Sequence, residues 1–190
     1  MSRCLMCLAA MVLAWALVSD EARAQTWQAE VNEHGLATAT VTTQAFYREH
    51  AVPVAVRFQC APGSDGSLSI MLIIRDASLV PSFPLDYFEG PDAPANEREL
   101  LRVEVGGSTV SFSFDLPTSG WYLDEAFIIA HAAPAEGDSP VRRIADAIEQ
   151  GATSLAIGVR SPDDPNTALF APTPLVGAST ALARTTAGCR

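Results

Sequence analysis

The sequence predicts a mainly β protein, an antiparallel β-sandwich or small barrel with one or two short flanking helices. Short runs in which apolar and polar residues alternate recur along most of the chain, the pattern of half-buried strands. Gly-, Pro- and Asp-rich turns separate these runs at hairpin spacing, which favours antiparallel neighbours. Only two stretches, one after Ser139 and one from Gly177, change to the period of a helix.

Residues 1–24 read as a cleaved export signal. Arg3 supplies the positive start, Cys4 to Val18 is an apolar run, and Ala22-Arg23-Ala24 is a small-x-small cleavage site before Gln25. The run is short for a spanning helix and breaks into Asp20 and Glu21 instead of a basic flank. Residues 25–190 are then expected to form a single β-rich domain, periplasmic or secreted, with no stable membrane span. A chain of this size buries about 70% of its unfolded surface and supports a core without a metal. The net charge is −10, and removing Arg3, Asp20, Glu21 and Arg23 leaves it unchanged. With all its cations arginine and no basic stripe to release counterions, the chain is not expected to bind nucleic acid. Cys4 and Cys7 leave with the signal, so Cys60 and Cys189 have only each other as intramolecular partners. Export would place them where a disulfide persists.

The elements follow in order. Trp27, Ala29 and Val31 share one phase, Asn32-Glu33-His34-Gly35 is turn-like, and Ala37, Ala39 and Val41 share the next phase, which makes an N-terminal hairpin. Gln44 to Ala51 is read as a loop. The central hairpin pairs Val52–Cys60, where Val52, Val54, Val56, Phe58 and Cys60 alternate, with Ser67–Arg75. The second of these strands becomes a continuous apolar run, as a strand covered on both faces does. From Asp76 to Asn96, Pro81, Pro84, Pro91 and Pro94 exclude a regular inner strand. Phe83, Leu85, Tyr87 and Phe88 in this stretch should pack on something, so an ordered loop covering one end of the sheet is expected. Leu100–Val105 and Ser108–Phe114 flank Gly106-Gly107, a two-residue turn that tolerates positive φ. Trp121–His131 reads as one further strand. Asp138-Ser139-Pro140 offers an N-cap and a first-position proline, and Val141, Ile144, Ala145 and Ile148 lie on one helical face that Gly151 closes. Thr153–Arg160 is a strand, Ser161–Asn166 a turn, Ala168–Phe170 a short strand, and Gly177–Ala187 a second helix that carries Cys189 back toward Cys60.

The tail Pro174-Leu175-Val176-Gly177-Ala178-Ser179-Thr180-Ala181-Leu182, followed by Cys189, resembles the closing pattern of small exported bacterial β-proteins of the invasion-associated locus B type. The run Val56-Arg57-Phe58-Gln59-Cys60, after a Trp-led strand, is similar to the companion half of that pattern. An aromatic belonging just before Leu175 stands instead at Phe170. The resemblance implies an envelope or secreted location and a disulfide; it implies no reaction.

Residues that could carry chemistry are scattered. His34, His50 and His131 have no ligand spacing, Asp163-Asp164-Pro165-Asn166 lacks the alternating acids of a calcium loop, and no metal or cofactor is expected. Gly177-Ala178-Ser179-Thr180-Ala181 lacks the second glycine of a nucleophile elbow. Asp86, Glu89, Asp92, Glu97 and Glu99 crowd the long loop and its exit, where a carboxylate pair could do acid-base work, although loop solubility explains them as well. Ser119-Gly120-Trp121-Tyr122 resembles the Ser-Gly-x-x-Tyr loop of exported lysozyme inhibitors, with the tyrosine one residue early. The leading expectation is a non-enzymatic envelope-associated or protein-binding module that binds through the Val80 to Asn96 loop and neighbouring turns, with Phe83, Leu85, Tyr87 and Phe88 as its candidate partner-binding residues and Phe83, Tyr87 and Phe88 as an exposed aromatic cluster. The alternative is a periplasmic hydrolase or hydrolase inhibitor.

Overall fold

The computed structural model describes residues 26–61, 66–80, 83–88, 100–112, 120–121, 126–134, 138–164 and 166–189. Ten strands among them form a single antiparallel sheet, curled into a half-barrel, with two short α-helices. The strands are β1 (Gln28–Val31), β2 (Ala37–Tyr47), β3 (His50–Ala61), β4 (Ser67–Ile74), β5 (Leu101–Val105), β6 (Ser108–Phe112), β7 (Gly120–Trp121), β8 (Phe127–Pro134), β9 (Leu155–Arg160) and β10 (Ala168–Pro172). The helices are α1 (Pro140–Glu149) and α2 (Ala178–Thr186). Strand order is β6-β5-β9-β10-β2-β3-β4-β8-β7, with β1 on the part of β2 that β10 leaves uncovered.

The expected antiparallel body is therefore present as one curled sheet, and α1 shows how far it curls. This helix touches β5 and β6 near one end of the strand order and β4 and β8 near the other. Only a sheet wrapped around the helix brings those strands to it. The inward phases meet row by row: Ala39, Phe58 and Ile70 form one row across β2, β3 and β4, and Val41, Val56 and Leu72 form the next. All of them are buried in one apolar cluster with Val141, Ile144 and Ile148 of α1 and Ala181 and Leu182 of α2.

Local chemistry explains the element ends. The Asn32 carboxamide oxygen accepts from the His34 and Leu36 N–H groups, which builds the β1–β2 turn. Gly106 and Gly107 both hold positive φ in the two-residue β5–β6 turn, as a type I′ hairpin demands. Ser139 caps α1 by accepting from the Arg142 N–H, and Pro140 occupies its first turn.

Two expectations are corrected. Gln44–Ala51 is not a loop: β2 continues to Tyr47, β3 begins at His50, and only Arg48 and Glu49 turn the chain. Arg48 accepts a φ of 53° for this, and the core alternation, relaxed at half-buried Thr43, resumes through Ala45, Tyr47 and Val52. Trp121–His131 is not one strand either. Gly120 pairs with Ile128 and Trp121 with Phe127, so the chain reverses between β7 and β8. The polar residues Asp124 and Glu125 interrupt the apolar run there.

Candidate functional site

Strand β3 organises the possible sites because its two ends are closed in different ways. At the far end, Cys60 faces the core between Ala37 and Leu68 and is bonded to Cys189, with Cα atoms 5.9 Å apart. The pairing expected from the sequence is present, and it joins residues 129 apart. Both cysteines are buried, at 0% and 4% exposure. The tail is also held without covalent bonds. An Arg142 guanidinium nitrogen donates to the Cys189 carbonyl, Thr186 donates to the Glu149 carboxylate at 2.8 Å, and Ser179 donates to the Glu149 carbonyl.

Gly177 explains why the tail carries a glycine where it does. Its φ of 76° is left-handed, and a Cβ there would come within 3.3 Å of the Thr26 methyl group. That close approach lets the Trp27 N–H donate to the Val176 carbonyl, while the Trp27 indole donates to the Pro174 carbonyl at 2.7 Å. The Trp27 ring in turn packs 6.0 Å from Phe58. The N-terminal strand and the C-terminal helix are thus locked to one another on the core.

At the near end, the chain leaves β4 into a 3-10 turn over Ala77–Leu79, capped by the Asp76 side chain, and a second over Leu85–Phe88. Here the expectation of an exposed aromatic cluster is corrected. Phe83 is 6% and Phe88 3% exposed, Leu85 is buried, and Tyr87 is half-buried. The Phe83 ring meets Tyr47 edge-on at 5.1 Å and stacks on Phe88 at 5.9 Å, and Tyr87 packs edge-on against Phe88. These side chains plug the Tyr47 end of the curl. The physical reason is the opening a half-barrel leaves at its end: aromatic rings of this size remove more apolar surface there than they could by waiting in solvent for a partner. The order expected of the loop holds for 76–80 and 83–88, while 81–82 and 89–99, with Glu89, Asp92, Glu97 and Glu99, lie outside the described residues.

Other sequence candidates stay apart. His34 lies in the β1–β2 turn beside Glu33, His50 opens β3 beside Glu49, and His131 sits in β8. Among the described residues no three His, Cys, Asp or Glu side chains gather as a metal site. The Asp164 carboxylate accepts from the Asn166 N–H and so serves its own turn. Ser179 is exposed on the first turn of α2, preceded by a left-handed glycine and not by a strand. Ser119 and Tyr122 lie outside the described residues, and Gly120-Trp121 forms β7. No helix among the described residues is long and apolar enough to cross a membrane.

One surface was not singled out from the sequence. Phe46 of β2 and Phe170 of β10 are opposed in the ladder on the outward face, 47% and 41% exposed. Extending the β2 phase Ala37, Ala39, Val41 to Ala45 and Tyr47 places Phe46 outward, and buried Leu169 and Ala171 do the same for Phe170. Reading Gln44–Ala51 as a loop hid that phase.

Fold and linkage together define a disulfide-stapled antiparallel half-barrel closed at one end by an aromatic loop. Searches of protein-family profiles, curated proteins and solved structures find nothing that matches the chain.

Proposed function

We propose that the chain is an exported, non-enzymatic β-module, periplasmic or secreted, that binds a protein or another envelope component. The observation that carries this reading is the buried Cys60–Cys189 bond. Such a bond persists in oxidising compartments and is rare in a reducing cytosol. The export-like residues 1–24 supply a route to such a compartment, and the likeness of the Val56–Cys60 and Pro174–Cys189 segments to invasion-associated locus B proteins points the same way. The acidic surface disfavours nucleic acid and anionic lipid as partners.

Phe83, Leu85 and Phe88 are committed to the core, so among the described residues the outward sheet face with exposed Phe46 and Phe170 is the apolar surface left for a partner. Fractionation of a bacterial host expressing the full chain tests the compartment. The expected product starts at Gln25 and is recovered from periplasm or medium without free thiols. A full-length cytosolic product with reactive Cys60 and Cys189 would contradict the reading.

A further inference from the structure

The two cysteines of the bond stand on unequal ground. Cys60 lies within β3, laddered to Ala37 of β2 on one side and to Leu68 of β4 on the other. Exposing its sulfur means unzipping strands at the centre of the sheet. Cys189 instead ends a three-residue 3-10 turn, Ala187–Cys189, in which Ala187 and Gly188 are exposed. Among the described residues one side-chain donor reaches the backbone of this turn, the Arg142 guanidinium at the Cys189 carbonyl.

Helix α2, which precedes the turn, is anchored more firmly. Its apolar face, Ala178, Ala181 and Leu182, is buried in the core. Ser179 donates at 2.9 Å to the Glu149 carbonyl, one of the groups that a helix end leaves without an intrahelical partner, and Thr186 donates at 2.8 Å to the Glu149 carboxylate. Both anchors lie ahead of the turn, so the turn can lift while α2 stays on α1. A local opening of this size costs far less than opening the central strands. The sulfur also has a place to return to. It stands 3.4 Å from the Ser67 carbonyl, which can accept from the Cys189 thiol before the bond closes, and Leu68, next in the chain, is the ladder partner of Cys60.

We propose that Cys189 is the modification site through which a low-molecular-weight disulfide oxidises the chain, and that Cys60 is the resolving thiol. With the turn lifted, the Cys189 thiol gives its proton to solvent and its thiolate attacks one sulfur of the oxidant. A mixed disulfide forms at Cys189, and one thiolate of the oxidant leaves. The turn settles back, the Cys60 thiol loses its proton, its thiolate attacks the Cys189 sulfur, and the second thiolate leaves. Two electrons pass from the cysteines to the oxidant, and the two protons released match its two thiolates. Once closed, the bond ties the turn down with both sulfurs buried. This assignment goes beyond the binding role and holds for the purified chain in any compartment.

Cys60→Ser and Cys189→Ser variants of the full chain, kept native and treated with oxidised glutathione, test it by peptide mass spectrometry. Cys60→Ser should take glutathione at Cys189 at least tenfold faster than Cys189→Ser takes it at Cys60, and urea should bring the two rates together. Arg142→Met, in the Cys60→Ser background, should speed the Cys189 reaction about tenfold or more, because a charge-assisted hydrogen bond no longer holds the turn. Arg142→Lys should restore part of the slower rate. The α2 amides should keep their slow hydrogen exchange in the glutathione-loaded Cys60→Ser protein. If a single variant fails to fold, the reduced wild-type chain decides: quenched early in oxidation, it must carry glutathione on Cys189 before the Cys60–Cys189 bond appears. Glutathione on Cys60 first, equal native rates at the two sites, or an Arg142→Met rate equal to that of Arg142 would overturn the proposal. So would α2 amides that exchange freely once Cys189 is loaded, because the whole helix and not the turn would then have moved.

Discussion

Replacing Phe83 with alanine separates the two roles its loop could play. The ring is nearly fully buried between Tyr47 and Phe88, and Tyr47 is itself buried at the end of β2. Truncating such a ring removes its transfer free energy and leaves a cavity, which together cost about 3 to 5 kcal/mol. For a chain of this length each kcal/mol lowers the melting temperature by about 2 to 4 °C, so a fall of about 6 to 20 °C is expected. Phe83→Leu keeps most of the volume and should cost less than about 1.5 kcal/mol. A double-mutant cycle with Phe88→Ala should return a coupling of about 0.5 to 1.5 kcal/mol for the stacked pair. Urea unfolding followed by circular dichroism gives the free energies, and a thermal melt followed the same way gives the melting temperature. A Phe83→Ala protein that loses less than about 1 kcal/mol would refute the plug and restore the ring as a surface group.

Further outcomes can be checked in the same unfolding assay. Replacing both Cys60 and Cys189 with alanine opens a closure of 129 residues and should cost about 5 kcal/mol by the chain-entropy estimate. Because both sulfurs are buried, dithiothreitol should reduce the native protein much more slowly than the urea-unfolded protein, read by thiol titration over time. Gly177→Ala forces a side chain into a left-handed φ against Thr26 and should cost at least about 1 to 2 kcal/mol. Trp27→Phe loses the indole bond to the Pro174 carbonyl and should cost about 1 to 3 kcal/mol, leaving Phe46 and Phe170 unaffected.

Much of this fold was legible because the core strands keep a period of two along most of their length. Val52 to Cys60 declares its inward face residue by residue, and the apolar run at Ile70–Ile74 correctly signals cover on both sides, with Ile73 of the outward phase also buried. The capped helix after Ser139 is equally plain, since Pro140 and the spacing of Val141, Ile144 and Ile148 agree. The aromatic loop misleads for a different reason. A proline-broken stretch rich in Phe and Tyr has the same composition whether its rings face solvent or fill the end of a half-barrel, and only the curl of the sheet decides. Phe46 and Phe170 show the opposite failure. Their exposure follows from strand phase, but Arg48, holding a left-handed turn that glycine usually takes, disguised the end of β2. Their pairing requires β10 to meet β2 across more than a hundred residues of chain, which no local pattern encodes.

The Cys60–Cys189 bond ties the tail to the middle of the sheet, and the proposed export would place that bond outside the cytosol. Proteolytic mapping of material recovered from the periplasm or medium, with thiols blocked and no reductant added, addresses this directly by mass spectrometry. A cross-linked pair of peptides containing Cys60 and Cys189, together with a first peptide that begins at Gln25, is the predicted result. Separate peptides with both cysteines alkylated would contradict it.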